Sequence, residues 1–180
     1  MEPLSHAPAE PDPSLSAPLP VATRPRVGAP APDFELPDAD MAAVSLADFR
    51  SRQHVVLYFY PRDDTPGCTI EAIEFSELEE AFTRCHAVIL GISRDDCTSH
   101  GAFRDKHGLS MQLLADEDGE ACGSYGVLYE KEYEGRRKTC IQRSTFVIDK
   151  RGILRHAVYG VNPRGHAQDM LETLEKLQCK

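Results

Sequence analysis

The stretch HVVLYFYPRDDTPGCT, His54 to Thr69, constrains the fold more than any other in this chain. His54 to Tyr60 is almost wholly apolar and rich in β-branched and aromatic residues, the mark of a strand buried on both faces. Pro61 ends the run, a polar turn follows, and apolar residues then recur at helical spacing. A strand of that kind belongs to a sheet covered by helices, so the chain reads as α/β. Thr65 is placed to cap the helix, with Pro66 at its first position, where a missing N–H costs nothing. Gly67 is then second and Cys68 third. The Cys68 thiol is thereby set over backbone N–H groups that have no intrahelical acceptor, at the positive end of the helix dipole. Such surroundings favour thiolate over thiol and make a nucleophile. A buried, inert cysteine is the commoner fate of a free thiol. It accounts less well for a Thr-Pro-Gly turn that puts the sulfur at a strand end.

The remaining pattern fills in the sheet. A second buried strand is predicted at His86 to Ser93, a helix at Thr98 to His107 ended by Gly108, and a short strand at Gln112 to Ala115. Thr145 to Asp149 and Leu154 to Tyr159 read as strands joined by a turn at Asp149 to Gly152. Gly165 to Gln178 is the last helix, with Met170, Leu171, Leu174 and Leu177 on one face. A short strand or hairpin is expected between Val27 and Phe49. Strand, helix, strand, helix, then a strand hairpin and a final helix is the order of a thioredoxin-like fold, a mixed sheet flanked by helices. One such domain is expected over residues 27–180. Residues 1–26 are rich in Pro, Ala and Ser and show no periodic apolar face, so they read as a disordered tail.

Composition excludes several roles. The net charge is -9, from 29 acidic and 20 basic residues among 180. That leaves no basic face for a nucleic acid. Apolar runs fall well short of the roughly 20 residues a membrane span needs. The six cysteines, Cys68, Cys85, Cys97, Cys122, Cys140 and Cys179, form no CxxC pair and no common zinc spacing. No signal-peptide pattern opens the chain, so the thiols are read as reduced and the protein as cytoplasmic. His100 and His107 lie seven apart on one predicted helix without a third ligand in register. They read as a solvated face, and neither metal nor organic cofactor is expected.

The segment YFYPRDDTPGCT resembles the active-site loop of the peroxiredoxins, thiol peroxidases of thioredoxin-like fold. Their motif, Pro-x-x-x-Thr/Ser-x-x-Cys, is matched by Pro61, Thr65 and Cys68. The form Asp-Thr-Pro-Gly-Cys-Thr is typical of the bacterioferritin comigratory proteins, also called peroxiredoxin Q. GISRDD and IQRSTFVIDKRG match further family segments, the second of which carries an active-site arginine, here Arg143. The resemblance covers Val27 to Lys180. It implies that Cys68 attacks hydrogen peroxide or an organic hydroperoxide, such as an alkyl hydroperoxide, and becomes a sulfenic acid. Arg143 would favour the thiolate and hold charge on the departing oxygen. The Thr65 hydroxyl would donate to sulfur or peroxide, Pro61 would shield the pocket, and N–H groups at Gly67 and Cys68 would hold peroxide oxygens. Tyr60 and Glu71 are second-tier site candidates; Tyr60 reads equally as a strand-end packing residue, and Glu71 as an ordinary first-turn acid that stabilises the helix N-terminus.

The chain departs from the family pattern in its second thiol. Relatives carry a resolving cysteine five residues on, where this chain has Ile73, or 36 residues on, where it has Arg104. Cys97 lies seven residues before Arg104 on the same predicted helix face, displaced by about 20° and about 10 Å. A Cys68–Cys97 disulfide would require the first helix to unwind locally. The alternative is a one-cysteine enzyme reduced by thioredoxin, glutaredoxin or a small thiol. Ile70 and Ile73 fall off the predicted core face of the first helix, which is formed by Cys68, Ala72, Phe75, Leu78 and Phe82. They are read as apolar residues beside the site, exposed or covered by a neighbouring segment. The subfamily implies a monomer or weak dimer. Two other functions fit a reactive thiol: a redox sensor or holdase, and a thioredoxin-like disulfide oxidoreductase. The missing CxxC weighs against the latter.

Overall fold

A computed structural model describes residues 24–178. Of the tail expected over residues 1–26, residues 1–23 lie outside the described residues, as does Cys179, whereas Arg24 is placed with its guanidinium carbon 3.8 Å from the Tyr159 ring centroid. Strand β1 (Glu35–Pro37) and β2 (Ala43–Ser45) pair as the expected N-terminal hairpin, and a 3-10 turn follows at Leu46–Phe49. Then come β3 (His54–Phe59), α1 (Pro66–Arg84), β4 (Ala87–Ser93), α2 (Cys97–His107), β5 (Gln112–Ala115) and α3 (Glu120–Ser124). A second hairpin, β6 (Leu128–Tyr133) and β7 (Arg136–Ile141), precedes β8 (Ser144–Ile148), β9 (Leu154–Tyr159) and α4 (His166–Gln178). The β6–β7 hairpin was not expected from the sequence.

The central sheet has the order β5-β4-β3-β8-β9. Strands β3, β4 and β5 are parallel, while β8 is antiparallel to both β3 and β9. Connecting helices lie over it because a parallel neighbour can be reached only by a crossover. Side chains alternate along β3. Val55, Leu57 and Phe59 enter a core with Tyr125, Phe146 and the N-terminal hairpin. Val56, Tyr58 and Tyr60 enter the opposite core with Cys68, Phe75 and Phe82 of α1, Phe103 of α2 and Leu174 of α4. Both faces of β3 are buried, as its uniform composition predicts. Phe59 pairs with Ile92 on one side and Ser144 on the other. The loop after β3 and the residue before β8 therefore emerge at the same end of the sheet, and this register places Arg143 beside the mouth of α1.

Gly91 of β4 marks one tight contact in the second core. A Cβ there would lie 2.8 Å from Cζ and Oη of Tyr58 and 3.0 Å from Leu113. Tyr58 has little room to yield, being 1% exposed and stacked on Phe75 with ring centroids 4.6 Å apart. Gly91→Ala is expected to destabilise the fold by about 1–3 kcal/mol. Urea denaturation of the two proteins measures this, and equal midpoints would count against the contact.

Candidate active site

Thr65 does cap α1, with extended backbone at φ -88° and ψ 155° and Pro66 at the first helical position. Its hydroxyl donates to the Arg62 carbonyl at 2.9 Å and so closes the preceding turn. The expected donation to sulfur or peroxide is not the bond it makes in this state. Asp64, just before it, takes a left-handed backbone at φ 57°, a conformation Asp tolerates better than most residues. Pro61 is exposed. The sulfur is not at an open strand end, as the sequence suggested. Cys68 is 1% exposed, because α1 packs on the sheet and its first turn is covered by Arg143, just before β8, and Pro163, after β9.

Arg143 reaches this site. Its Nη2 donates to Cys68 Sγ at 3.4 Å and its Nη1 to Glu71 Oε1 at 2.8 Å. Burial opposes the guanidinium charge, but Glu71 and Cys68 outweigh it and hold the group more firmly protonated. Gly67 leaves room for the fork: a Cβ there would sit 3.1 Å from Arg143 Nη2 and 3.4 Å from Pro163. Cys68, Gly67 and Arg143 are thus brought together.

Of the two readings of Glu71, the ordinary first-turn acid does not hold. The residue is fully buried rather than a solvated first-turn acid, and it shares the core face with Cys68 and Phe75. Burial raises its pKa to about 7 against the pull of Arg143. Glu71 Oε2 and the Tyr58 hydroxyl are buried without a hydrogen-bond partner. Nothing local in the sequence marks Glu71, since its partner lies 72 residues away. Behind Arg143, His166 opens α4 with Nε2 2.7 Å from Thr145 Oγ1, and burial lowers its pKa to about 4.

The histidines of α2 are a correction to the sequence reading. His100 is fully buried, not part of a solvated face. Its Nδ1 lies 2.7 Å from Asp63 Oδ2 and its Nε2 lies 2.9 Å from the Leu114 carbonyl. Asp63, Asp95 and His100 gather ligand-type atoms within 4.8 Å of one another. Both ring nitrogens are already occupied by protein acceptors, so the trio is a hydrogen-bonded cluster. Tyr60 joins it, its hydroxyl donating to Asp63 Oδ1 at 2.6 Å.

Cys97 does not meet Cys68. It opens α2, half-buried, and burial with Glu117, Asp38 and Asp96 raises its thiol pKa. Arg104 turns to the same side, with Nη1 3.1 Å from Asp40. Both therefore face the β1–β2 hairpin, as their helical spacing requires, whereas His100 and Phe103 face Tyr60. Cys85, Cys122 and Cys140 are also free thiols, and burial raises the Cys122 thiol far beyond ionisation. Ile70 and Ile73 are half-buried, Ile73 against the α1 side of the core. Among the described residues no helix is long and apolar enough to cross a membrane.

The AhpC/TSA family pattern matches residues 27–157. Peroxiredoxin Bcp of Bacillus subtilis is 39% identical over 154 residues, covering 86% of this chain and 98% of that protein. Among solved structures, the bacterioferritin comigratory protein of Xanthomonas campestris superposes with a TM-score of 0.75 at 34% identity, covering 79% of this chain and 90% of that one. That protein was described for its alkyl peroxide reduction activity. A mutant of PrxQ from Xylella fastidiosa gives a TM-score of 0.81 at 32% identity, covering 87% and 99% of the two chains.

Proposed function

The chain belongs to the AhpC/TSA family and is a thiol peroxidase of the peroxiredoxin Bcp/Q type, and from that premise we propose that Cys68 is its peroxidatic nucleophile. The observation that carries this assignment is the fork of Arg143 between Cys68 Sγ and Glu71 Oε1. A buried sulfur with a guanidinium on it, at a helix N-terminus, has the surroundings that stabilise a thiolate and an oxyanion in one place.

Cys68 thiolate attacks one oxygen of hydrogen peroxide or an alkyl hydroperoxide. The S–O bond forms as the O–O bond breaks, and the other oxygen leaves as hydroxide or alkoxide and takes up a proton. Arg143 holds the negative charge as it passes from sulfur to that oxygen. The N–H groups of Gly67 and Cys68, in the first turn of α1 and without intrahelical acceptors, would hold peroxide oxygens. Thr65 shapes the turn through its bond to Arg62, and Pro61 follows Tyr60 at the start of that turn. A thiol then attacks the sulfenic acid, releasing water and leaving a disulfide, which a second thiol reduces.

For the second thiol we favour an external reductant such as thioredoxin. Cys97 sits among Asp38, Asp96 and Glu117, whose charges disfavour its thiolate. A resolving role for Cys97 remains the second reading, supported by its place at the start of the helix packed against the Cys68 loop. A monomer or weak dimer is favoured because the large apolar residues exposed among those described, Val27, Met41 and Tyr133, are scattered in the chain. A cytoplasmic location fits a set of described cysteines that are all free thiols. The sensor and disulfide-exchange readings need only a reactive thiol and leave the Arg143 fork without a purpose.

The test is to treat reduced protein with one equivalent of hydrogen peroxide, add a sulfenic-acid trap and map the peptides without reduction. A trapped sulfenic acid at Cys68, with the other thiols intact, is the expected result. A Cys68–Cys97 disulfide would move the resolving role to Cys97. Oxidation spread over the other cysteines with Cys68 untouched would overturn the proposal.

A further inference from the structure

We propose that Asp63 and Asp64 form a two-point clip between the Cys68 loop and α2, and that this clip sets how often Cys68 is exposed to its reductant. The inference rests on the reading of Cys68 as the peroxidatic residue and adds two positioning residues that act through the loop.

Each aspartate grips a different end of α2. Asp63 is 8% exposed and takes the N-terminal end: Ser99 Oγ donates to its Oδ2 at 2.8 Å, and His100 Nδ1 lies 2.7 Å from the same oxygen. Tyr60 supplies the bond to Oδ1, so the carboxylate has partners on both oxygens. The Asp63 backbone N–H is held too, by Asp95 Oδ2 at 2.8 Å, which also accepts from Ser93. Asp64 takes the C-terminal end: Lys106 Nζ lies 2.6 Å from Oδ2 and His107 Nε2 2.8 Å from Oδ1. The neighbouring acids of the loop are thus both committed to α2, one buried and one at the surface.

The buried grip is the stronger one. Leu114 O and Asp63 Oδ2 are both acceptors, so the His100 ring faces an acceptor at each nitrogen. Removing either member strands the other in the core without its partner. That makes the cluster a discrete, all-or-none contact between loop and helix.

Opening matters because the two halves of the cycle need different states of Cys68. Peroxide chemistry needs the closed state, in which Arg143 is on the sulfur. Attack by a second thiol needs the open state, because a sulfur 1% exposed offers no path for an incoming thiol and its S–S geometry. A sulfenic acid that stays closed can meet a second peroxide instead. The sulfenic sulfur then takes one oxygen to become sulfinic acid, and the peroxide leaves as water or alcohol. A tight clip favours that loss and a loose clip favours reduction. Cys97 lies on the turn of α2 that Asp63 holds, so its release would accompany the loop's.

The experiment compares full-length wild type with Asp63→Asn, Asp64→Asn and, as a stability control away from the clip, Leu174→Ala. One arm measures iodoacetamide labelling of Cys68 in reduced protein by peptide mass spectrometry, which reads opening directly. The other measures sulfinic acid formed per turnover with excess hydrogen peroxide and fixed dithiothreitol. Losing a charge-assisted hydrogen bond should raise labelling and lower the sulfinic yield by roughly tenfold in Asp63→Asn, with a smaller change in the same direction in the surface variant Asp64→Asn. Leu174→Ala should lower the melting temperature while leaving both readings near wild type. Unchanged labelling and sulfinic yield in folded Asp63→Asn and Asp64→Asn would overturn the clip, as would an equal change in Leu174→Ala. The labelling arm stands even if Cys68 takes up no oxygen, a result that would sink the peroxidase assignment alone.

Discussion

Arg143→Gln is expected to lower the second-order rate constant for oxidation of Cys68 by about two to three orders of magnitude, the usual cost of losing one preorganised donor at a developing oxyanion. The guanidinium is the group that touches both the sulfur, at 3.4 Å, and Glu71, at 2.8 Å. Glutamine is shorter and neutral, so charge and reach are lost together. Arg143→Lys separates the two. It keeps the positive charge but replaces a planar fork with a single ammonium, which cannot serve sulfur and carboxylate in the same geometry. Lysine should therefore recover only part of the loss. Stopped-flow mixing of reduced protein with hydrogen peroxide measures all three rates. A glutamine variant within threefold of wild type would show that Arg143 is a bystander to the chemistry.

The contrast between Arg143 and Glu71 shows what the sequence discloses and what it hides. The mouth of α1 is written locally: Thr65, Pro66, Gly67 and Cys68 each have a reason to be where they are within a few residues. The strands β3 and β4 are equally plain, because burial on both faces leaves an uninterrupted apolar run. Arg143 was found through family resemblance, and its position then follows from pairing β8 beside β3, with Phe59 opposite Ser144. The sequence leaves Glu71 open between a site residue and an ordinary acid, and it hides the burial of His100, because a charged or titratable residue is exposed by default and their partners are distant in the chain. His100 meets Asp63 across 37 residues, a contact no window of the sequence contains.

The β6–β7 hairpin was missed for a different reason. EKEYEGRRK is polar on both faces, so it lacks the alternation that marks a half-buried strand. Its one local signal is the turn pair Glu134-Gly135, with φ 51° and 76°, the left-handed pair that a tight hairpin needs. Lys131 faces Lys138 across the strands, while Glu130 meets Arg137 at 3.7 Å, so the arm is held by backbone pairing more than by its ion pairs.

Glu71→Gln and His166→Asn should each uncover a pH dependence of stability that the wild type conceals. Burial raises the Glu71 pKa from 4.5 to about 7, so between those values the folded protein binds more protons than the unfolded chain. Stability therefore falls as pH rises through that window. Burial lowers the His166 pKa from 6.5 to about 4, so in that range the folded protein binds fewer protons and stability rises with pH. The two slopes oppose each other over most of the same range. Each shift corresponds to at most about 3 kcal/mol, taking 1.36 kcal/mol per pKa unit. Urea denaturation of wild type should give nearly constant stability from this pair between pH 4.5 and 6.5. Glu71→Gln should leave a rise of up to about 3 kcal/mol from pH 4 to 6.5, and His166→Asn a fall of similar size from pH 4.5 to 7. The glutamine can still accept from Arg143 Nη1, so its rate of peroxide oxidation should drop far less than that of Arg143→Gln. Parallel pH profiles for all three proteins would mean that Glu71 and His166 titrate as though in water, and that the site behind Cys68 is wetter than its packing shows.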